Sequence, residues 1–359
     1  MMKNLNKIHD FINFEGKDQV FVIAEAGSNW KARTFQASLK RAKKLIDVAA
    51  DSGADAIKFQ TFNPDLVYVQ NAGKSNYLKK IGVSKTINEI FKENRMPYEM
   101  LPYLAKFCKK RKIMFMSTAF SVQDAKEIDP FVKIHKIASY EINHVRLLEY
   151  LASTKKPILI STGASNYDEI TFAVNKIREK RNNKIILLQC TAKYPAPIES
   201  LNLRVITKLK EKYKVTVGLS DHSLDPIIAP INAVGLGAKV IEKHFTLDKS
   251  LSGPDHSFAL NPSELKMMVK AIRDSELALG GNEKSILKEE IELRRFATRS
   301  IQAIKKIKKN EKLKEGENFD VLRPGNQIRG EEARFLNKIN GKKANKNYKV
   351  GQGIKFKIN

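Results

Sequence analysis

The sequence predicts an α/β fold, a (β/α)8 TIM barrel followed by a small β-rich domain. Three observations predict it. Short β-branched apolar runs alternate eight times with stretches of helical apolar spacing. Alternation of that kind builds a parallel sheet, and eight units in about 260 residues is the size at which such a sheet closes into a barrel. Beyond Gly280 the alternation stops, and short strand-like pieces separated by Lys-, Asn- and Gly-containing turns take over. A doubly wound open sheet is the rival, but no G-x-G-x-x-G follows the first strand.

The first strand is Val20–Gly27, and a helix follows from Thr34 to Ser52. The second strand, Asp55–Phe62, leads into a long excursion, Asn63–Arg95, and then a helix from Pro97 to Lys112 whose Pro suits the first helical position. The third strand, Ile113–Phe120, precedes a short helix starting at Val122. The fourth, Val132–Ser139, is followed by helix Val145–Thr154, and the fifth, Pro157–Gly163, by helix Tyr167–Arg181. The sixth, Lys184–Thr191, precedes helix Leu203–Tyr213; the seventh, Val215–Asp221, precedes helix Pro226–Leu236. The eighth, Lys239–Phe245, precedes helix Ser263–Leu279. Residues 1–282 form the expected catalytic barrel, 283–295 a charged linker and 296–359 the β-rich tail. A tail of about 60 residues has a marginal core of its own, so it is expected to lean on a barrel or on a second chain.

With 359 residues, 42% of them hydrophobic, the chain has ample material for these cores. Met1–Phe14 mixes Lys, Asn and Asp with isolated apolar residues and has no continuous apolar h-region. No run reaches the ~18 apolar residues of a membrane span. The expectation is a cytoplasmic protein with no membrane partner. The two cysteines, Cys108 and Cys190, form no C-x-x-C and no zinc spacing, which excludes a disulfide framework. Cys190 follows the apolar run Ile185–Leu188 and reads as a buried small residue, with a nucleophile as the alternative. The net charge of +26 is compatible with nucleic acid, an anionic membrane or anionic substrates. The lysines are spread along helices without interleaved aromatics, and no helix-turn-helix, RRM, KH or C2H2 pattern occurs. The charge therefore reads as a solvated surface that also attracts anionic substrates, with no nucleic-acid partner.

In a parallel barrel the active site lies at the C-terminal strand ends. Those ends are polar throughout: Glu25; Lys58 and Gln60, which share a face by their i, i+2 spacing; Ser117 and Thr118; Lys136 and Ser139; Ser161, Thr162 and Gly163. Gln189, Thr191 and Tyr194 follow, then Ser220, Asp221 and His222, then Glu242 and His244, with Asp255 in the last loop. A lone strand-end Ser or Thr reads equally as a helix cap, and a lone Lys as a solvated or paired charge. Two lysines and several hydroxyls converging on one mouth read differently, as a cradle for a small phosphorylated, carboxylated anion. His222 and His244 close adjacent strands, in a chain with six histidines. They suit a divalent ion with open positions, or else form a packed, hydrogen-bonded pair.

The sequence resembles the sialic acid (N-acetylneuraminate) synthase family, most of all its spore-coat polysaccharide branch. The likeness runs from about Phe21 to Gly353 and rests on VIAEAGSN, DAIKFQTF, HKIASYEINH, ISTG, CTAKYPAP, VGLSDHS, VIEKHFTLDK and GPDHSFALNP. In the tail, RFATRS and VLRPGNQ resemble the C-terminal antifreeze-like (SAF) domain of these synthases. The resemblance implies a condensation of phosphoenolpyruvate with an N-acyl amino sugar such as N-acetylmannosamine, water entering and phosphate leaving. It implies a divalent metal, most often Mn2+ with Mg2+ or Co2+ as alternatives, held by His222 and His244 and acting as a Lewis acid. It assigns Lys58, Thr118, Lys136, Ser139, Ser161 and Ser220 to phosphoenolpyruvate, and Gln60, Tyr194, Glu242 and Asp255 to the sugar. Glu25 becomes the residue that handles a proton or the catalytic water, and Arg323 reaches the N-acyl group in a domain-swapped homodimer. Three positions depart from the family pattern and bear on the sugar: Asn29-Trp30-Lys31 in place of Asn-His-x-Gly, Ala192 in place of an Asn, and Thr298 in place of an aromatic. Two further readings are weighed against this one: a Schiff-base aldolase or lyase using Lys58 or Lys136, and a non-catalytic polyanion-binding barrel.

Overall fold

The structure is a computed structural model, and it describes residues 19–74 and 85–356. The N-terminal segment Met1–Phe14 and part of the long excursion, residues 75–84, lie outside the described residues. The chain divides into two compact units between Gly280 and Gly281.

The first unit is a closed barrel of eight parallel strands in sequence order, β1 (Phe21–Gly27), β2 (Ala56–Thr61), β3 (Met114–Ala119), β4 (His135–Ile137), β5 (Ile158–Ser161), β6 (Ile185–Cys190), β7 (Thr216–Asp221) and β8 (Val240–His244). The ring closes between β1 and β8, where Phe21 to Glu25 run in register with Val240 to His244. Nearly every strand residue is buried, as a parallel sheet covered on both faces requires. Phe21, Ile23, Met116, Leu159, Leu188 and Val240 belong to the cluster that fills the barrel interior. A larger cluster, including Val22, Ile57, Ile137 and Ile241, packs the outer strand faces under the helices. Gly218 permits the close approach of β7 to β8, because a Cβ there would lie 2.4 Å from the Val240 carbonyl oxygen.

The helices begin where the sequence supplies caps. Helix α1 (Phe35–Asp51) starts at Thr34, whose side chain accepts from the Ala37 N–H, and buries Leu39, Ala42, Leu45, Ile46 and Ala49. The excursion contains a helix that periodicity did not reveal, α2 (Ile87–Asn94), closed by a capping box between Thr86 and Glu89. Helix α3 (Leu101–Arg111) carries Pro102 in its first turn. Pro97 instead precedes a separate 3-10 turn, Tyr98–Met100, which corrects the expected helix start. The remaining barrel helices are α4 (Val122–Ile128), α5 (Val145–Ser153), α6 (Tyr167–Glu179), α7 (Val205–Tyr213), α8 (Ile228–Gly235) and α9 (Pro262–Leu279). Strand β4 is shorter than expected because the chain turns at once into a 3-10 segment, Ser139–Glu141.

In the second unit, the expected linker is partly helical: α10 (Ile291–Ala297) forms from the helix-favouring run Glu-Leu-Arg-Arg. Strands β9 (Ser300–Ala303) and β10 (Phe319–Leu322) pair antiparallel, and α11 (Leu336–Ile339) is a single turn. Ile301, Leu313, Phe319, Ile339, Tyr348 and Ile354 belong to a core of its own.

Candidate active site at the barrel mouth

The polar residues that end the strands meet in one buried network. The Lys58 ammonium lies 2.5 Å from the Glu25 carboxylate, 3.7 Å from Glu242, and donates to Thr118 Oγ1 at 3.0 Å. Gln60, two residues along the same strand, donates through Nε2 to the other Glu25 oxygen at 3.1 Å. Lys136 donates to Ser161 Oγ at 2.8 Å and lies 3.5 Å from Glu242. Ser220 donates to the same Glu242 oxygen at 3.1 Å. Ser139 accepts from the Gly163 N–H at 3.0 Å. Seven of the eight strands, all but β6, thus contribute to one array of two ammoniums, two carboxylates and several hydroxyls.

Burial makes the charges in this array unequal. Glu25 is pushed up to about 7 by burial, against Lys58 and with the help of Glu242. Burial also opposes ionisation of Glu242, but Lys136 and Lys58 together bring it down to about 2. Burial pulls Lys58 down, yet Glu242 and Glu25 raise it above its ordinary value. Lys136 is lowered by burial, which Glu242 only partly offsets. One carboxyl therefore exchanges its proton near neutral pH while its neighbour stays ionised.

The aromatic side of the mouth is built on β7 and β8. The His222 and His244 ring centroids are 5.5 Å apart. Tyr194 packs 4.1 Å from His222 and 6.1 Å from His244, and Phe258 lies 5.2 Å from His244. Asp255 joins them: its Oδ2 accepts from the Ser28 N–H at 3.1 Å and from Ser28 Oγ at 2.9 Å. Gly27 makes that approach possible, since a Cβ there would lie 2.6 Å from Asp255 Oδ2 and 3.4 Å from His244 Cε1, and its φ is +48°. A cavity of about 510 Å3 opens between the loops after β5 and β6, with Thr162, Ser165, Cys190, Ala192 and Ser200 in its lining.

The imidazoles fit a divalent ion. His222 Nδ1 donates to the Thr191 carbonyl oxygen at 2.8 Å, which leaves Nε2 as the open donor atom. His244 Nδ1 is buried without a hydrogen-bond partner. Burial, His222 and Lys58 hold His244 well below its ordinary value, so its ring is neutral, the form in which an imidazole coordinates a metal. Among the described residues no group of three or more His, Cys, Asp or Glu side chains forms a metal cage. A two-imidazole set with the remaining positions left to water or substrate is the chemistry that matches.

Several strand-end residues serve the scaffold instead of the mouth. Ser117 bonds Thr61 at 2.8 Å, Gln189 donates to the Leu201 carbonyl and Thr191 to that of Ser200. Asp221 pairs with Lys243. Arg323 lies in the second unit, exposed, just after β10. One residue of the mouth was not singled out from sequence. Glu141 has a buried carboxylate oxygen without a partner and is pushed up to about 7 by burial, against Lys136. Cys190 is buried, as expected, but its Sγ also lies 3.8 Å from His222 Nδ1. Burial opposes charge on both, while their proximity draws the thiol down and the imidazole up.

The NeuB family model matches residues 45–284, which spans β2 to β8. The chain belongs to the NeuB family. It is similar to the spore coat polysaccharide biosynthesis protein SpsE of Bacillus subtilis, 42% identical over 89% of this chain and 88% of that protein. It is similar to the pseudaminic acid synthase of Campylobacter jejuni, 38% identical over 96% of this chain and 97% of that protein. Among solved structures, the N-acetylneuraminic acid (sialic acid) synthetase of Leptospira borgpetersenii, crystallised with citrate, is 33% identical. It covers 78% of this chain and 92% of its own, with a TM-score of 0.67. The NeuB match begins after Glu25, which the longer alignment with the pseudaminic acid synthase brings within the shared region.

Proposed function

We propose that this NeuB-family enzyme condenses phosphoenolpyruvate with the open-chain form of an N-acyl amino sugar, such as N-acetylmannosamine, and with water. The products are a nonulosonic acid and phosphate. The observation that carries the reading is the juxtaposition of two buried ammoniums, Lys58 and Lys136, with the hydroxyls of Thr118, Ser161 and Ser139 beside a pair of imidazoles. The ammoniums and hydroxyls bind the phosphate and carboxylate of phosphoenolpyruvate. Gln60, Tyr194, Glu242 and Asp255 orient the sugar, and Ser220 holds Glu242 in place.

In the reaction, C3 of phosphoenolpyruvate forms a bond to the aldehyde carbon, whose oxygen gains a proton. Water adds at C2 and loses one proton; the C2–O bond to phosphate then breaks as C2 becomes a carbonyl, and the remaining hydroxyl proton goes to the departing phosphate. Glu25, with a carboxyl that titrates at about 7, is suited to take the water proton and supply the one the aldehyde oxygen needs. A divalent ion, Mn2+ in the first instance, would be held by His222 and His244 and would polarise the aldehyde. Arg323 is assigned to the N-acyl group, reached from the SAF-like second unit of a partner chain in a domain-swapped homodimer. A cytoplasmic setting follows from the supply of phosphoenolpyruvate.

One observation favours a second reading. Lys136 is lowered by burial, as a Schiff-base lysine would be. The experiment that decides is phosphate release from phosphoenolpyruvate with Mn2+, across N-acetylmannosamine, its 6-phosphate and a 2,4-diacetamido hexose, with and without chelator. Chelator-sensitive release that depends on one sugar establishes the synthase and names its substrate. Borohydride trapping of substrate on a lysine, without phosphate release, establishes the aldolase.

A further inference from the structure

Strand side chains alternate, so the residues between Ser220, His222, Glu242 and His244 point away from the mouth. They are Asp221 and Lys243, and both are sealed from solvent, Lys243 being 2% exposed. The outer face of a covered parallel barrel is ordinarily apolar. A buried ion pair there costs desolvation that an apolar pair would avoid, so stability alone does not account for it.

The pair occupies a particular place. Asp221 and Lys243 are the last registered partners of β7 and β8 at the mouth end of the ladder. The Lys243 ammonium donates to Asp221 Oδ2, to the Ser223 carbonyl oxygen at 2.6 Å and to Ser223 Oγ at 3.2 Å. The Asp221 carboxylate in turn accepts from the Ser223 N–H at 2.8 Å and from Ser223 Oγ at 3.1 Å. His222 lies between Asp221 and Ser223, and His244 follows Lys243. The backbone on both sides of His222 is therefore tied to the residue before His244. Among the described residues, the Asp221, Lys243 and Ser223 side chains make no hydrogen bond to Lys58, Thr118, Lys136 or Ser161, which are held by their own bonds.

We propose that Lys243, with Asp221 and Ser223, is a positioning residue that sets the separation and orientation of the His222 and His244 imidazoles. The proposal deepens the synthase reading and rests on it for the role of the imidazoles, but the placement of the rings is a claim by itself. The obvious variant, Lys243→Met, strands the Asp221 carboxylate in the interior and risks misfolding. The double variant Asp221→Asn/Lys243→Met removes both charges while keeping an acceptor for the Ser223 N–H.

The experiment uses the full chain with 15N-labelled histidine, the wild type beside the double variant. It reads the imidazole resonances in metal-free protein, the affinity for phosphoenolpyruvate and the affinity for Mn2+. The resonances of His222 and His244 are expected to shift, while those of His135 and His256 stay in place. Phosphoenolpyruvate affinity should fall far less than that for Mn2+, because the bonds of Lys58 to Thr118 and of Lys136 to Ser161 are left intact. Mn2+ affinity should fall by roughly 10–100-fold, the usual effect of losing a group that orients metal-binding imidazoles. Unmoved His222 and His244 resonances in a folded double variant would overturn the proposal. So would a loss of phosphoenolpyruvate affinity that matches the loss for Mn2+, since that is general loosening. A wild type that binds no Mn2+ would sink the metal reading, and the imidazole resonances would still decide the positioning role.

Discussion

The Glu25 carboxylate and the Lys58 ammonium meet 2.5 Å apart in the barrel mouth, sealed from solvent, and yet the two groups respond to burial differently. Lys58 is held charged by two carboxylates, while Glu25 sits near neutrality. A carboxyl that moves a proton is separable from one that merely balances a lysine. Glu25→Gln is expected to lower kcat by roughly 10²–10⁴-fold, the range for loss of a general acid or base, with a far smaller change in phosphoenolpyruvate affinity. Equal losses in both, measured by phosphate release and by equilibrium binding, would reduce Glu25 to a counter-ion. The wild-type rate should also fall as pH drops through about 7, because Glu25 must be ionised to accept the water proton. That limb should be missing from the residual activity of the variant.

His244→Ala removes a neutral, buried imidazole whose Nδ1 has no hydrogen-bond partner. Bound divalent ion and nearly all turnover are expected to disappear together. Metal content of the purified variant and its activity in metal-stripped buffer check this, and unchanged activity would refute the metal role.

Arg323→Ala tests the second unit. If Arg323 meets the N-acyl group, the KM for the sugar should rise well above its wild-type value while that for phosphoenolpyruvate is little changed. Equal effects on both substrates would mean that this turn does not touch the sugar.

His135 is buried on β4, and burial, against the pull of Asp129, pushes it from 6.5 down to about 4. The unfolded chain therefore binds a proton between those values that the folded barrel does not. Stability from this residue is complete above 6.5 and is lost as pH falls from 6.5 toward 4, on the order of 3 kcal/mol in all. His135→Asn should flatten the acid side of the stability curve by one proton. Chemical unfolding at a series of pH values measures it, and parallel wild-type and variant curves would contradict it.

Most strands were legible because each is a β-branched run sealed on both faces, where composition and burial coincide. Helix α2 was missed although its Thr86–Glu89 box stands in the sequence, since eight residues give little periodicity to read. Strand β4 was overextended because Val132–Ser139 reads as one run, whereas the chain turns at Ser139–Glu141 under its own 3-10 hydrogen bonds. At the mouth, parity brought Lys58 and Gln60 onto one face and Glu242 and His244 onto another. The same parity hid Lys243, which reads as a break between two site residues and becomes meaningful only when Asp221 is seen opposite it. Glu141 was invisible for another reason: it lies past a strand end, and nothing in a sequence shows that one oxygen of a loop carboxylate is shut away from water.

The ring of strands closes between its first and last members, and Glu25 stands in register with His244 across that seam. Two groups separated by nearly the whole barrel sequence are therefore lateral neighbours, and a chain emerging in order from its N-terminus holds the Glu25 carboxyl without the His244 imidazole beside it until the eighth strand arrives. Fragments cut short of β8 lack Glu242 and His244 and so cannot assemble this side of the mouth. The seam also frees the order of the chain: joining the barrel's ends and opening it at a loop on the face opposite the mouth would relocate the termini without parting any of the groups that meet there.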